Sequence, residues 1–397
     1  MSGDVRRARV LIAGVSTRAA ADSAAHAGYD VVALDAFGDI DHHPSVRALS
    51  VPRETGRRFS PAAGARVALS MPGDAAMYAS GFENDPRAVA QLALGRALWG
   101  NAPDVLRRVR DPLALHQSLR CHGFLSPDVR TMAPASASTS RRAPGRAPGW
   151  LVKPLASAGG HRVRPWSGGL PARCYLQSFI AGTPGSVVFV AAGGGAVPLG
   201  VTTQLVGDHA FGASGYRYCG SLLRDPHAGG DAAAHLVRRA TEVARHVAQA
   251  FGLVGVNGID FIAQGGEPAV IEVNPRWSAS MELVERAYGL SVFGAHAAAC
   301  HSGALPAFQF EAAVRCAPVM GKAIVFARYA VTVGDTRRWL GDDSVRDVPP
   351  PGERVRAGQP VCTVFASGAT EGDCYRALVA GARRVYRRLE AWASAAA

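Results

Sequence analysis

The stretch GIDFIAQGGEPAVIEVNPRW, residues 258–277, constrains the fold more than any other part of this chain. GIDFIA and AVIEVN each alternate with the two-residue rhythm of a strand, and QGGEP between them holds the residues that favour a turn. With the turn centred near Gly266, Asp260 falls opposite Glu272, and Asn274 shares the face of Glu272. Ile259, Phe261, Ile271 and Val273 make the other face apolar, so the hairpin packs on a core and its acidic face is turned elsewhere. A solvated acidic strand face is the plainer reading, and the apolar opposite face argues against it. Two carboxylates with no lysine beside them repel unless a cation sits between. Their oxygens and the amide oxygen suit Mg²⁺ or Mn²⁺, completed by waters and phosphate oxygens. Arg276 follows Asn274 and Pro275 and is expected to point toward the same cavity.

The second informative feature is a lysine. Of 43 basic residues 41 are arginine, and only Lys153 and Lys322 are lysine. Lys153 lies in LVKPLASAGG, a strand followed by Ser157, Ala158, Gly159 and Gly160. A glycine-rich turn lets backbone N–H groups approach phosphate oxygens closely. An ammonium is a compact point charge that suits one phosphate oxygen in a confined site, where a planar guanidinium does not fit. The run is not the phosphate loop G-x-x-x-x-G-K-[ST]. A surface lysine surviving by chance is the alternative.

A length of 397 residues suggests two or three domains, and 48% hydrophobic residues supply ample material for burial. No apolar run reaches about 18 residues and no leader pattern precedes the first strand, so a soluble, cytoplasmic protein away from membranes is expected. Seven scattered cysteines without C-x-x-C spacing read as reduced thiols rather than a zinc site. The net charge of +12 is spread along the chain, which fits attraction of anionic small molecules better than nucleic acid.

The organisation starts with ARVLIAGVS, a helical run and DVVALDAF, a Rossmann-like opening in an α/β domain. The turn after the first strand keeps only Gly14 of a dinucleotide fingerprint, so Asp35, where a ribose-binding acid would sit, reads as scaffold. ARVALSM and AMYASGFE read as a further strand pair, with Glu83 just past a strand end, either a ligand contact or part of a helix start. Helical patterns follow over about 86–122, then a Pro/Gly/Ser/Ala/Arg loop over 134–149. Strand pairs around one long helix make the section to about 300 an antiparallel α+β domain. The expected domains are 1–110, 111–300 and 301–397. The last is a small β-rich segment closed by a helix with Leu378, Ala382, Val385, Leu389 and Trp392 on one face.

Together these residues resemble the ATP-grasp superfamily. Its members carry a strand lysine, a mobile glycine loop, a hinge strand beside the adenine and an acid…E-x-N hairpin for two Mg²⁺. The matching positions are Lys153, the 156–160 loop with Ser157, Gly159 and Gly160, the hinge Gln177, Phe179 and Ile180, and Asp260, Glu272 and Asn274. The resemblance covers about residues 1–300. SGFEN, GNAP and EVNPRWSASMELVERAYG are more loosely similar to stand-alone ligases encoded beside tetrahydromethanopterin and methanofuran pathways of methylotrophs.

What the resemblance implies is an ADP-forming carboxylate–amine ligase using ATP and Mg²⁺ or Mn²⁺, acting through an acyl-phosphate. Lys153 and Arg276 would serve catalysis, and Glu83, Tyr216, Arg217 and Lys322 are candidate substrate contacts. A homodimer is the default expectation. Two departures stand out. The lysine usual before the linker is absent, leaving Arg110 or His116 to take its place, and GTPGS offers only Thr183 and Ser186 where an acid often meets the ribose. A carboxylase acting through carboxyphosphate, and a nucleotide-binding regulator without turnover, are the alternatives.

Overall fold

The computed structural model describes residues 8–133, 149–223, 230–314 and 317–395. Nearly all of the loop expected over 134–149, and residues 224–226 of the expected substrate segment, lie outside the described residues.

The apolar runs Arg9–Ala13, Asp30–Asp35 and Ala75–Tyr78 are central strands of a parallel sheet, flanked by Val46–Ser50 and Ala97–Trp99 at its edges. Strands covered on both faces are expected to be continuously apolar, as Val10 to Ala13 and Val31 to Leu34 are. Asp35 is consumed by its own turn, accepting from Thr17 Oγ1 at 3.0 Å and from the Gly38 N–H at 2.8 Å. The expected strand ARVALSM is instead the end of the helix Pro61–Ala68. Ser60 Oγ caps that helix through the Ala63 N–H, Pro61 sits in its first turn, and Ala65 and Ala68 are buried at helical spacing. The helical stretch expected over 86–122 is broken by the edge strand Ala97–Trp99 after Gly95 turns the chain at φ 73°.

A small sheet follows, made of Val129–Arg130, Cys174–Ser178, Trp150–Pro154 and Arg164–Pro165 in that spatial order. The third layer is an eight-stranded antiparallel sheet. Its order is Glu267–Asn274, Gly255–Gln264, Thr183–Ala192, Gly195–Val206, Tyr218–Leu223, Val319–Phe326, Pro360–Gly368 and Val345–Arg346. One face, with Val187, Phe189, Val201, Ile259 and Phe261, packs on the long helix Gly230–Phe251. The other packs on the helices Ala279–Tyr288 and Val292–Ser302, which also meet the first domain.

The sheet runs unbroken past residue 300, because Val319–Phe326 pairs directly with Tyr218–Leu223. The closing helix Glu371–Ala395 buries Leu378, Ala382, Val385 and Leu389, with Trp392 against Trp339 at 5.5 Å.

Candidate active site

The hairpin pairs Asp260 with Glu272 and Gly258 with Asn274. The next pair is Phe261 with Val270, so Ile271 is an extra residue on its strand. Such a bulge frees a carbonyl from the ladder. The Ile271 carbonyl accepts from Gln177 Nε2 at 3.1 Å and Lys153 Nζ at 3.4 Å, both from the small sheet. Lys153 Nζ also donates to Gln177 Oε1 at 3.1 Å. The two sheets thus face each other across a cleft lined by Arg110, His116, Tyr175, Gln177, Ile271 and Glu272. Phe179 and Ile180 follow Gln177 in the half-buried hinge and are not in that lining.

Asp260 is held by Asn274 Nδ2 at 2.9 Å and by Gln204 Nε2 at 2.9 Å. Burial, then the Glu272 charge, pushes the Asp260 carboxyl up to about 7, against the pull of Asn274 and Arg276. Burial acts upward on Glu272 too, but Lys153, Arg110 and Arg276 outweigh it and hold its pKa below the usual value. The acids therefore do have a lysine beside them, contrary to the sequence expectation. Lys153 is buried, which opposes its charge, yet Tyr175 and Glu272 keep its pKa raised.

Arg276 donates to Glu83 Oε1 at 2.9 Å, to the Trp277 carbonyl at 3.0 Å and to Asn274 Oδ1 at 3.1 Å. Burial works against its charge, and Glu83 first among the acids holds it. Arg110, one of the two residues expected in place of the absent lysine, lies beside the acids. Its guanidinium is 3.8 Å from Glu272 and donates to the Val273 carbonyl at 3.1 Å and Asn84 Oδ1 at 3.0 Å. The glycine loop is seated on these groups. The Ser157 carbonyl accepts from Arg110 at 3.3 Å and Asn84 at 3.4 Å, and the Gly159 carbonyl accepts from the Tyr218 N–H at 3.1 Å.

The structure thus brings together Lys153, Gln177, Asp260, Glu272, Asn274 and Arg276. Three expected substrate contacts are engaged by other groups of the protein. Glu83 is buried on Arg276, and Asp85 rather than Glu83 caps the following helix. Arg217 donates to the Gly358 carbonyl at 2.7 Å and stacks on Phe326 at 4.9 Å, so its side chain faces the C-terminal segment. Lys322 is buried in an ion pair with Glu282 at 2.6 Å. Tyr216 contributes its backbone carbonyl to the packing against Gly160. Sequence reading missed Asn84 and Gln204. Asn84 adjoins Glu83, whereas nothing local marks Gln204, which reaches Asp260 from a strand two places away in the sheet.

The site fits a divalent cation and a nucleotide. Two buried carboxylates oppose each other, and among the described residues no third His, Cys, Asp or Glu completes a metal cluster. An amide oxygen, waters and phosphate oxygens are what such a pair lacks. Arg110 Nε is buried beside Glu272 without a partner.

Comparison with known proteins agrees. Residues 109–280 match the family model described as an ATP-grasp domain. An uncharacterized protein of Methanocaldococcus jannaschii is 24% identical over 132 residues, 33% of this chain and 31% of that protein, so the chain aligns with about a third of the curated relative's length. The crystal structure of an L-amino acid ligase from Bacillus licheniformis superposes with TM-score 0.66 at 15% identity, covering 98% of each chain. A biotin carboxylase complex from Campylobacter jejuni gives TM-score 0.65 at 13% identity, covering 91% of this chain and 87% of that one. Residues 109–280 thus match an ATP-grasp domain, and the chain as a whole shares its fold with these structures.

Proposed function

We propose that the protein is an ADP-forming carboxylate–amine ligase. The observation that carries this reading is the convergence of Lys153, Arg110 and Arg276 on the Asp260–Glu272–Asn274 face, of which Arg110 and Glu272 line the cleft between two sheets. Asp260, Glu272 and Asn274 would hold Mg²⁺ or Mn²⁺, which supplies charge neutralisation at the β- and γ-phosphates of ATP. Lys153 and Arg110 would take the remaining phosphate charge, with Ser157, Gly159 and Gly160 covering it and Gln177 and the Phe179–Ile180 hinge beside the base. An oxygen of the substrate carboxylate attacks the γ-phosphorus, the bond to the β-phosphate oxygen breaks, and ADP leaves. Arg276 stabilises the charge on the acyl-phosphate. The amine nitrogen then attacks the acyl carbon, phosphate departs, and the nitrogen releases a proton. The seated loop keeps water from the acyl-phosphate. We place the reaction in cofactor assembly on the likeness of SGFEN and GNAP to ligases of one-carbon pathways.

The test is ADP release from Mg-ATP with panels of acids and amines, and with bicarbonate alone, beside Glu272→Gln. Release that requires both an acid and an amine, and is lost in the variant, is the expected result. Release with bicarbonate alone would replace the ligase by the carboxylase, and bound nucleotide without release would replace it by the regulator.

A further inference from the structure

The chain between the metal hairpin and the next helix is a tight turn. The Arg276 N–H donates to the Asn274 carbonyl at 2.8 Å, so Asn274, Pro275 and Arg276 form a three-residue turn. This turn puts the Asn274 and Arg276 side chains next to each other, 3.1 Å apart. Its central carbonyl, that of Pro275, points into the first domain. There it accepts from Tyr78 Oη at 3.1 Å and from Asn101 Nδ2 at 3.1 Å.

Both donors are fixed. Tyr78 is 2% exposed and ends a central strand of the parallel sheet, and its hydroxyl also lies 3.0 Å from the Asn101 carbonyl. Asn101 is 1% exposed. Its amide also donates to Asn257 Oδ1 at 2.8 Å and accepts from the Val254 N–H at 2.8 Å. Asn257 adjoins Gly258, the strand partner of Asn274. The Tyr78 hydroxyl has one proton to share between the Pro275 and Asn101 carbonyls, while both amide protons and the side-chain oxygen of Asn101 are paired, and such buried networks hold one geometry.

We propose that Tyr78 and Asn101 are positioning residues. They fix the Pro275 peptide, and through it the Asn274 oxygen and the Arg276 guanidinium, so that the first domain sets the metal end of the site. The inference rests on the ligase reading only in that Asp260, Glu272 and Asn274 hold the metal. Partners that orient a metal ligand change metal affinity by about 10–100-fold when removed. Loss of one hydroxyl donor while the second donor stays belongs near the low end.

The test titrates Mn²⁺ into the ADP-bound full chain, read by the paramagnetic signal of free Mn²⁺, with ADP affinity measured separately without metal. Tyr78→Phe removes one donor and leaves the shape. Tyr386→Phe is the control: it deletes another buried hydroxyl, bonded to the Phe326 carbonyl at 3.0 Å, in the closing helix away from the site. Tyr78→Phe is expected to weaken Mn²⁺ binding about tenfold, with ADP affinity kept and Tyr386→Phe like wild type. Asn101→Asp, an isosteric change that turns a donor into an acceptor facing the Pro275 carbonyl, should weaken it further. It is also the variant to read if Tyr78→Phe does not fold. Equal behaviour of the Tyr78 and Tyr386 variants overturns the positioning role alone. Wild-type Mn²⁺ binding unaffected by Glu272→Gln would overturn the metal reading, and the inference with it.

Discussion

Both lysines of this chain are buried, Lys153 at 7% exposure and Lys322 at 4%, and each lies beside a glutamate. The arginine-rich composition therefore marks them as places where a compact ammonium is needed, and not only a charge. Local sequence separated their roles no further. A glycine turn follows Lys153 in the sequence and marks it locally, whereas the partner of Lys322, Glu282, comes from another element. The same distinction covers the other residues. Asp260, Glu272 and Asn274 follow from strand alternation around one short turn. Arg217 and Glu83 depend on partners over a hundred residues away, Gly358 and Arg276. The compactness argument makes Lys153→Arg a sharp test. The variant keeps the charge, but its fork cannot occupy the space between Gln177 Oε1 and the Ile271 carbonyl. Nucleotide affinity by calorimetry should fall about tenfold or more, the scale of losing a charged hydrogen bond. Affinity equal to wild type would show that charge alone suffices there.

Among the elements, length and periodicity decided what could be read in advance. The closing helix carries enough turns for its apolar stripe to be unmistakable, and the hairpin strands carry clear alternation. Short elements gave no such average. ARVALSM reads as a strand because its apolar residues are interrupted by Arg66 and Ser70, and the serine cap and proline start of Pro61–Ala68 just before it are the better signal. Ala97–Trp99 has three residues and no period to read. The bulge at Ile271 was also invisible, since it arises from pairing between strands. The glycine loop gives the prediction at this scale. Gly160 has φ 71°, and a Cβ there would lie 1.8 Å from the Tyr216 carbonyl oxygen. Gly160→Ala should therefore leave the loop unable to seat, while the folded core, which does not depend on it, stays within about 1 kcal/mol of wild type. Faster amide exchange over residues 155–163 together with reduced ADP release is the expected pair of results. Unchanged exchange would mean that the loop does not need this contact.

For the whole molecule, the first domain and the last segment meet in a buried ionic node that no local pattern announces. Arg18 donates to Asp347 at 2.8 Å and lies 2.7 Å from Glu282, which holds Lys322. Asp41 accepts the N–H groups of Asp347 at 3.0 Å and Val348 at 2.8 Å. Asp22, Asp39, Asp41, Glu282 and Asp347 face Arg18, Lys322, Arg286 and His42, so acids exceed firm cations. Burial, only partly offset by Arg18, lifts Asp41 from 3.8 to about 6. Between those values the folded protein keeps a proton that the unfolded chain has released, so this group's contribution to stability falls as pH rises through that window. His296 acts the other way. Burial lowers it from 6.5 to about 4, so the unfolded chain alone carries the proton there, and stability rises with pH. Each effect is about 3 kcal/mol across its window at 1.36 kcal/mol per pKa unit. Calorimetric melting from pH 4 to 7.5 separates them. Asp41→Asn should steepen the rise of Tm with pH below about 6, and His296→Asn should flatten it. Curves parallel to wild type in both variants would show that neither group changes its protonation on folding, and that the node is held by geometry without a proton linked to it.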